Sequence, residues 1–434
     1  MTSSPEGGSG ATVLERRGLP KSKWVRAEMA GVLLVLVLTA VPVGWCGRRD
    51  FNEALTFTGR MTGAALMVVA LIMFLGVAAV VDYWVRGPTS NLGVVALISA
   101  GVALLTNALL LVQTWSDGEK VRYPVLFGVL TVGSVLAVVV VWRTLDEIPA
   151  PKRVAAALIV STVLGVGNFS YQNLYQPYRR GAKPLVYLTV GKAVLSKDRK
   201  AFAVPVDIKL ENHSDVGFYV LGTEFHAMGE QAPLSGRDRL HTQWRADAEH
   251  WSKYREKLPL SRREAYQPGQ LVAAQPWIAP GNWIEANDES IARTVIQLPI
   301  DTPYDHLAFY ATASLARKDR LGLGRSDPIG YSWRGAKLPQ WVKDLGKGDD
   351  SIVYRSDVRE NNAIDSYTRK ARCVTVYWRF GVHGVEVSES ITRRGEANRV
   401  TTESEDRDAR GRYGLVDVLA GPIEQTLWGI KSQR

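Results

Sequence analysis

RVAAALIVSTVLGVGNFSYQNLYQPYRRGAK, residues Arg153 to Lys183, is the stretch on which the reading of this chain turns. It opens as an apolar run, Val154 to Val166. It then passes through Asn168, Phe169, Ser170, Tyr171, Gln172 and Asn173 into a stalk of Tyr, Pro and Arg. Long apolar runs fill the sequence before it. Short alternating segments with turn residues between them fill the sequence after it. Whether this run crosses a bilayer decides which compartment the second half occupies.

Working back towards the N-terminus, four more apolar runs precede it: Ala27–Trp45, Met61–Trp84, Leu92–Trp115 and Pro124–Trp142, with Val154–Tyr171 as the fifth. Each is close to the ~20 residues that span a ~30 Å hydrocarbon layer as a helix. Trp24 and Trp45 bracket the first run, and Trp84, Trp115 and Trp142 close the next three. Amphipathic rings at run ends are what a membrane–water interface favours, and Tyr171 is placed to do the same for the fifth. Residues 1–26 form a Ser/Gly/Pro-rich and then basic tail that cannot bury a core, which predicts a disordered cytoplasmic segment. No A-x-A-like cleavage site follows it, and Trp45 before Cys46 breaks the small-residue pattern of a lipoprotein signal.

Loop charge sets the predicted orientation. With the N-terminus inside, Arg16, Arg17, Lys21, Lys23, Arg26, Arg86, Arg143, Lys152 and Arg153 fall on the inner side. Arg48, Arg49, Arg60, Lys120 and Arg122 fall on the outer side. That bias favours a cytoplasmic N-terminus, and five crossings then put residues 172–434 outside the cell membrane. Within the runs there is no Asp, Glu, Lys, Arg or His; Glu28 and Asp82 lie at their ends. Ion- and proton-coupled pathways normally need such groups. Asn107 with Thr106, and Ser99 with Gly101, are the main polar or small positions of the third run, read as helix packing rather than ligand contacts.

The net charge of +10 over 434 residues divides unevenly, +7 in residues 1–183 and +3 in the remainder. The surplus belongs to tail and loops, not to a basic face on a folded domain, which argues against nucleic-acid binding. Two cysteines, Cys46 and Cys373, are too few for a disulfide framework or a cysteine zinc site, and are read as unpaired thiols.

Beyond the stalk (172–183), residues 184–434 read as a mainly-β domain. Phe202, Val204, Val206, Ile208 and Leu210 alternate on one face, as do Leu307, Phe309, Ala311 and Ala313, and again Val374, Val376, Trp378 and Phe380. Closely spaced turns between such segments predict an immunoglobulin-like antiparallel β-sandwich. Pro205 suggests an edge or a bulge. A helical insertion is predicted over 236–258, where Leu240, Trp244, Ala248, Trp251, Tyr254 and Leu258 make one apolar stripe. Residues 316–370 read as loop-rich with a short helix near Pro339–Leu345, 396–412 as a charged mobile segment, and Pro422–Ile430 as a final helix.

No G-x-S-x-G, H-E-x-x-H, phosphate loop or C-x-x-C occurs, so no catalytic residue, cofactor or metal ligand is assigned. Glu224 and His226, two apart on a predicted strand, share a face and are read as a hydrogen-bonded surface pair lacking a third metal ligand. Exposed Trp in loops can stack on sugars or anchor a partner. Trp277 (in Gln-Pro-Trp) and Trp283 (in Pro-Gly-Asn-Trp) are the candidates, with core filling as the alternative for each.

The five apolar runs together with Tyr171–Leu221 make the chain resemble uncharacterised multi-pass membrane proteins of high-GC bacteria that carry a C-terminal extracytoplasmic β-domain. The resemblance implies that architecture and no activity. The expectation is a non-enzymatic cell-envelope protein, embedded in the lipid bilayer, whose β-domain binds another envelope protein or a cell-wall glycan. A membrane-anchored extracytoplasmic hydrolase using acids such as Glu224 or Asp305, and an accessory subunit of a transport complex, are the alternatives.

Overall fold

A computed structural model describes residues 23–86, 92–117, 120–144, 181, 184–231, 242, 245–246, 269–334, 338–345, 348–382, 384–396, 399 and 401–432. The predicted fifth span with Tyr171, the stalk and most of the tail lie outside the described residues. So does the insertion helix, apart from Thr242, Arg245 and Ala246, which are helical and exposed. The chain divides into two compact units: Met1–Arg180 with Asn362–Arg369, and Gly181–Asn361 with Lys370–Arg434.

The first unit is built on four helices long and apolar enough to cross a membrane: α1 (Lys23–Glu53), α2 (Phe57–Arg86), α3 (Leu92–Asp117) and α4 (Arg122–Thr144). Helix α1 starts inside the segment read as tail. At 31 residues it is about 46 Å long and outruns the hydrocarbon layer. Leu36, Met73, Leu97, Ala100 and Val141 are buried together at the centre, while most other apolar side chains of these helices face outward. An outward apolar surface is what lipid contact requires. The polar positions inside the bundle join helices to one another, as expected. Asn107 Nδ2 donates to Thr39 Oγ1 (2.9 Å) and to Ser134 Oγ (3.0 Å), tying α3 to α1 and α4. Ser99 Oγ donates to the Ile72 carbonyl (2.9 Å), where α3 meets α2.

Residues 362–369 complete this unit. A short helix, α6 (Ala363–Thr368), packs at the end where α1 and α3 finish and α2 and α4 begin; α5 (Gln340–Leu345) precedes it in the chain. Asn362 caps α6 by accepting from Asp365 N–H (2.8 Å). Buried Asp50 accepts the Ala363 N–H (2.6 Å), Gln113 Nε2 donates to Asp365 Oδ1 (3.0 Å) and Lys120 Nζ donates to the Tyr367 carbonyl (2.7 Å). Trp45 Nε1 donates to Tyr367 Oη (3.1 Å), and the Arg49 guanidinium lies 5.1 Å from the centre of the Tyr367 ring. Ile364 packs on Val43, Leu110 and Phe127. From sequence these residues read as part of a loop in the β-domain; instead they pack with the helices.

The second unit holds three antiparallel sheets. Sheet A joins β1 (Leu185–Val190) and β2 (Val194–Leu195) to one side of β3 (Ala201–Glu211), with β7 (Glu289–Pro299) on the other. Sheet B runs β14 (Leu415–Thr426), β8 (His306–Arg317), β4 (Phe218–Glu230), β5 (Gln270–Gln275), with β6 (Trp283–Ile284) also on β4. Sheet C runs β10 (Asp327–Tyr331), β11 (Asp350–Glu360), β12 (Arg372–Gly381), β13 (Gly384–Arg393), with β9 (Leu321–Leu323) also on β11. Sheet B is the middle layer, and β4 and β8 are therefore buried on both faces rather than alternating. One face packs Phe218, Phe225 and Phe309 against Val204, Val206 and Ile208 of sheet A. The other packs Leu221 and Leu415 against Val374, Val376 and Trp378 of sheet C, and Trp378 Nε1 donates to the Thr223 carbonyl (2.8 Å).

Several local expectations are corrected. Pro205 is neither at an edge nor at a bulge: β3 is interior, and Pro205 faces the gap where β1 ends opposite Val206 and β2 begins opposite Ala203. The supposed loop 316–370 contributes β9, β10 and β11 besides the expected α5. The charged segment holds helix α7 (Glu403–Tyr413), with a capping box between Thr402 and Glu405 and Gly414 left-handed at its C-cap. The final helix α8 is confined to Trp428–Lys431, because Ile423–Thr426 pair with β8.

Candidate functional site: a carboxylate-imidazole cleft

The two tryptophans singled out from the sequence have different settings. Trp277 is half-buried against the sheet A–sheet B core, and its indole N–H is shared by the carbonyls of Glu224 and Thr312 (both 3.2 Å). Trp283 is 58% exposed on the short strand β6, with Lys318 Nζ 5.0 Å from its ring centre. Of the rings expected at a membrane interface, Trp24, Trp45, Trp115 and Trp142 are exposed near helix ends, and Trp84 is half-buried, edge-on to Tyr83.

The groups with chemical potential meet elsewhere. A cleft of about 800 Å³ opens where β4 and β8 of sheet B approach β12 and β13 of sheet C. His226 lines it, and Glu224, two before it on β4, shares its face as expected but is buried rather than at the surface. The His226 Nδ1 hydrogen-bonds Glu224 Oε1, whose carboxylate is almost fully buried and also accepts from Thr312 Oγ1 (3.0 Å). Strand register puts Tyr310 directly opposite His226, and the two rings stack 4.6 Å apart at 13°. Burial, then Glu230 and Glu424, push the Tyr310 phenol up, so it stays neutral. A carboxylate on Nδ1 and a ring on its face fix the imidazole. When the ring is neutral its proton sits on Nδ1 and Nε2 is an acceptor, and Nε2 has no hydrogen bond among the described residues.

The walls add charge. Glu230 holds His306 Nδ1 (3.2 Å), and Glu424 holds His306 Nε2 (3.4 Å) behind it. Opposite, Arg379 donates to the Leu345 carbonyl (2.7 Å) and to Glu386, its cross-strand neighbour. Asp349, just before β11, lines the cleft with no partner among the described residues. Asp305, the other acid considered from sequence, pairs with Lys431 (3.2 Å) instead. Among the described residues no group of three or more His, Cys, Asp or Glu could hold a metal ion. The thiols are separate, Cys46 in α1 and Cys373 buried in β12. The two-residue strand period makes Glu224 and His226 legible as neighbours; Tyr310, Asp349 and Arg379 carry no such local signal and come together only through the packing of distant strands.

No family model matches the chain, and neither does any curated protein. Solved structures align at low similarity. The sporulation control protein Spo0M of Bacillus subtilis is 10% identical over 58% of this chain and 94% of its own, with a TM-score of 0.19. The putative ApaA protein of Bordetella pertussis is 8% identical over 32% of this chain and 82% of its own, with a TM-score of 0.18. Scores this low carry no argument about fold or function.

Proposed function

We propose that the chain is an integral membrane protein of a bacterial cell envelope that displays a non-enzymatic, β-rich binding domain on the outer face. One observation supports this most: the seating of 362–369 at the end of the bundle where α1 finishes. Helix α4 ends at the opposite end, so a chain that leaves α4 and later supplies residues 362–369 must recross the bilayer. The apolar run Val154–Tyr171 has the length for that crossing. Five crossings, with the charge bias placing the N-terminus inside, put the β unit outside. We read the packed pair of sheets A and B as the immunoglobulin-like sandwich and sheet C as an addition to it.

Trp283, exposed on β6, is the aromatic we assign as anchor for a protein or glycan partner. Protease added to intact cells should remove the β unit and spare an N-terminal tag, and Trp283→Ala should weaken retention on cell-wall material. A β unit resistant outside and cleaved only after lysis would count against the reading. The hydrolase alternative is favoured by the Glu224–His226 pair in an open cleft, which is the arrangement a general base needs.

A further inference from the structure

The geometry points to the Glu224–His226 cleft as a binding site for a primary ammonium group, carried by an amino sugar or a peptide. The inference rests on reading the β unit as a binding domain, but not on which side of the membrane that unit lies.

Acceptors outnumber donors in this cleft. Among the described residues that line it, three carboxylates, Glu230, Asp349 and Glu386, stand against one guanidinium, Arg379. That guanidinium gives its terminal nitrogens to Glu386 and the Leu345 carbonyl, and its Nε–H is buried away from the cleft opening. Among the described residues the acceptors open to a ligand are the Asp349 carboxylate, the Glu230 oxygen not turned to His306 and, when the ring is neutral, His226 Nε2. Among the described residues that line the cleft, the Tyr310 hydroxyl is the neutral side-chain donor beside them. A ligand that brings acceptors or negative charge would add to repulsion already present. An ammonium brings one positive charge and three N–H donors and matches the deficit on both counts. His226 is fixed for such a bond before the ligand arrives: Glu224 holds one nitrogen and Tyr310 covers the ring, so little side-chain freedom is lost on binding. The volume of about 800 Å³ lies in the range of small-ligand sites and leaves room for the body that carries the amine.

The test is calorimetric titration of the full chain in detergent with three probes: glucosamine tetramer, N-acetylglucosamine tetramer and tetralysine. Binding of an amine probe, weakened by added salt and about tenfold or more by Asp349→Asn, is expected. His226→Gln should act in the same direction. Glu224→Gln risks the fold because its carboxylate is buried, and Glu386→Gln at the rim serves as the second charge variant. Preference for the glucosamine tetramer assigns the amine to a sugar, and preference for tetralysine assigns it to a peptide. The inference is overturned if neither amine probe binds. It is overturned equally if the acetylated tetramer binds as tightly as the amine, or if Asp349→Asn leaves affinity unchanged. Binding in detergent is independent of topology, so a cytoplasmic β unit would sink the envelope reading and leave this one standing.

Discussion

Replacing Glu389 with Gln should remove most of a fall in stability that the β unit undergoes as pH rises from about 4.5 to about 7. Glu389 lies buried in β13, where Arg410 Nη2 donates to it (2.9 Å). The same guanidinium also holds Asp406 (2.8 Å) and Asp417 (2.6 Å). One cation thus serves three carboxylates. Burial, then the charge of Asp417, push the Glu389 carboxyl up to about 7. The folded state keeps a proton that the unfolded chain releases near 4.5. The stabilisation is therefore complete below that pH and is lost as pH climbs through 7. Each pH unit in the window costs about 1.4 kcal/mol, so the full shift amounts to roughly 3 kcal/mol, an upper figure because Arg410 is partly solvated. Gln has no proton to lose and leaves Arg410 its two aspartates. The assay is urea unfolding of the full chain in detergent at pH 5, 6, 7 and 8, followed by tryptophan fluorescence. The variant should hold its midpoint across the series while the parent drifts down. Parallel curves, or a steeper loss in the variant, would refute the electrostatic account.

Three further outcomes follow from packing and capping. A Cβ on Gly76 would overlap the Ser99 side chain, so Gly76→Ala should force α2 from α3 and cost roughly 2 kcal/mol in a detergent unfolding titration. Asn107→Ala removes two interhelical hydrogen bonds and should cost about 1 kcal/mol in the same titration. Thr402→Ala deletes the capping-box hydroxyl of α7 and should cost about 1 kcal/mol, read as a lower unfolding midpoint for the β unit.

The strands and helices most legible in the sequence are those whose burial is one-sided. In β3 the inward Phe202, Val204, Val206, Ile208 and Leu210 alternate with outward residues, and the sequence reading matched the strand. The four helices announced themselves by length and by Trp at their ends. Helix α7 was passed over because its sequence is dominated by charge; only Ala409 and Tyr413 are buried. The Thr402-x-x-Glu405 capping signature was nevertheless there to be read. In β14 the Gly421-Pro422 step resembled a helix start, but it marks the irregularity between Ala420 and Ile423 in the pairing with β8. The β11 strand was hidden in a segment punctuated by Gly, Asp and Arg.

For the site, the limit was distance along the chain. Glu224 and His226 are legible as neighbours because strand geometry relates them locally. Tyr310 joins them only through the β4–β8 register, and Asp349, Arg379 and Glu386 arrive from sheet C. The seating of 362–369 is a stronger case of the same limit. Asn-Ala-Ile-Asp-Ser-Tyr-Thr-Arg has the look of a turn, and its partners Asp50 and Trp45 are more than 300 residues away. Local pattern carries no trace of such a contact.

The account stands most directly on an odd number of membrane crossings before the β unit. Single cysteines introduced at Ser4→Cys in the tail and Lys197→Cys on an exposed turn, in a background lacking Cys46 and Cys373, can be challenged with a membrane-impermeant thiol reagent on intact cells. The account predicts labelling of the cysteine at 197 before lysis and of the cysteine at 4 only after it. Labelling of both together, or of neither until lysis, would put the two ends on one side and contradict it.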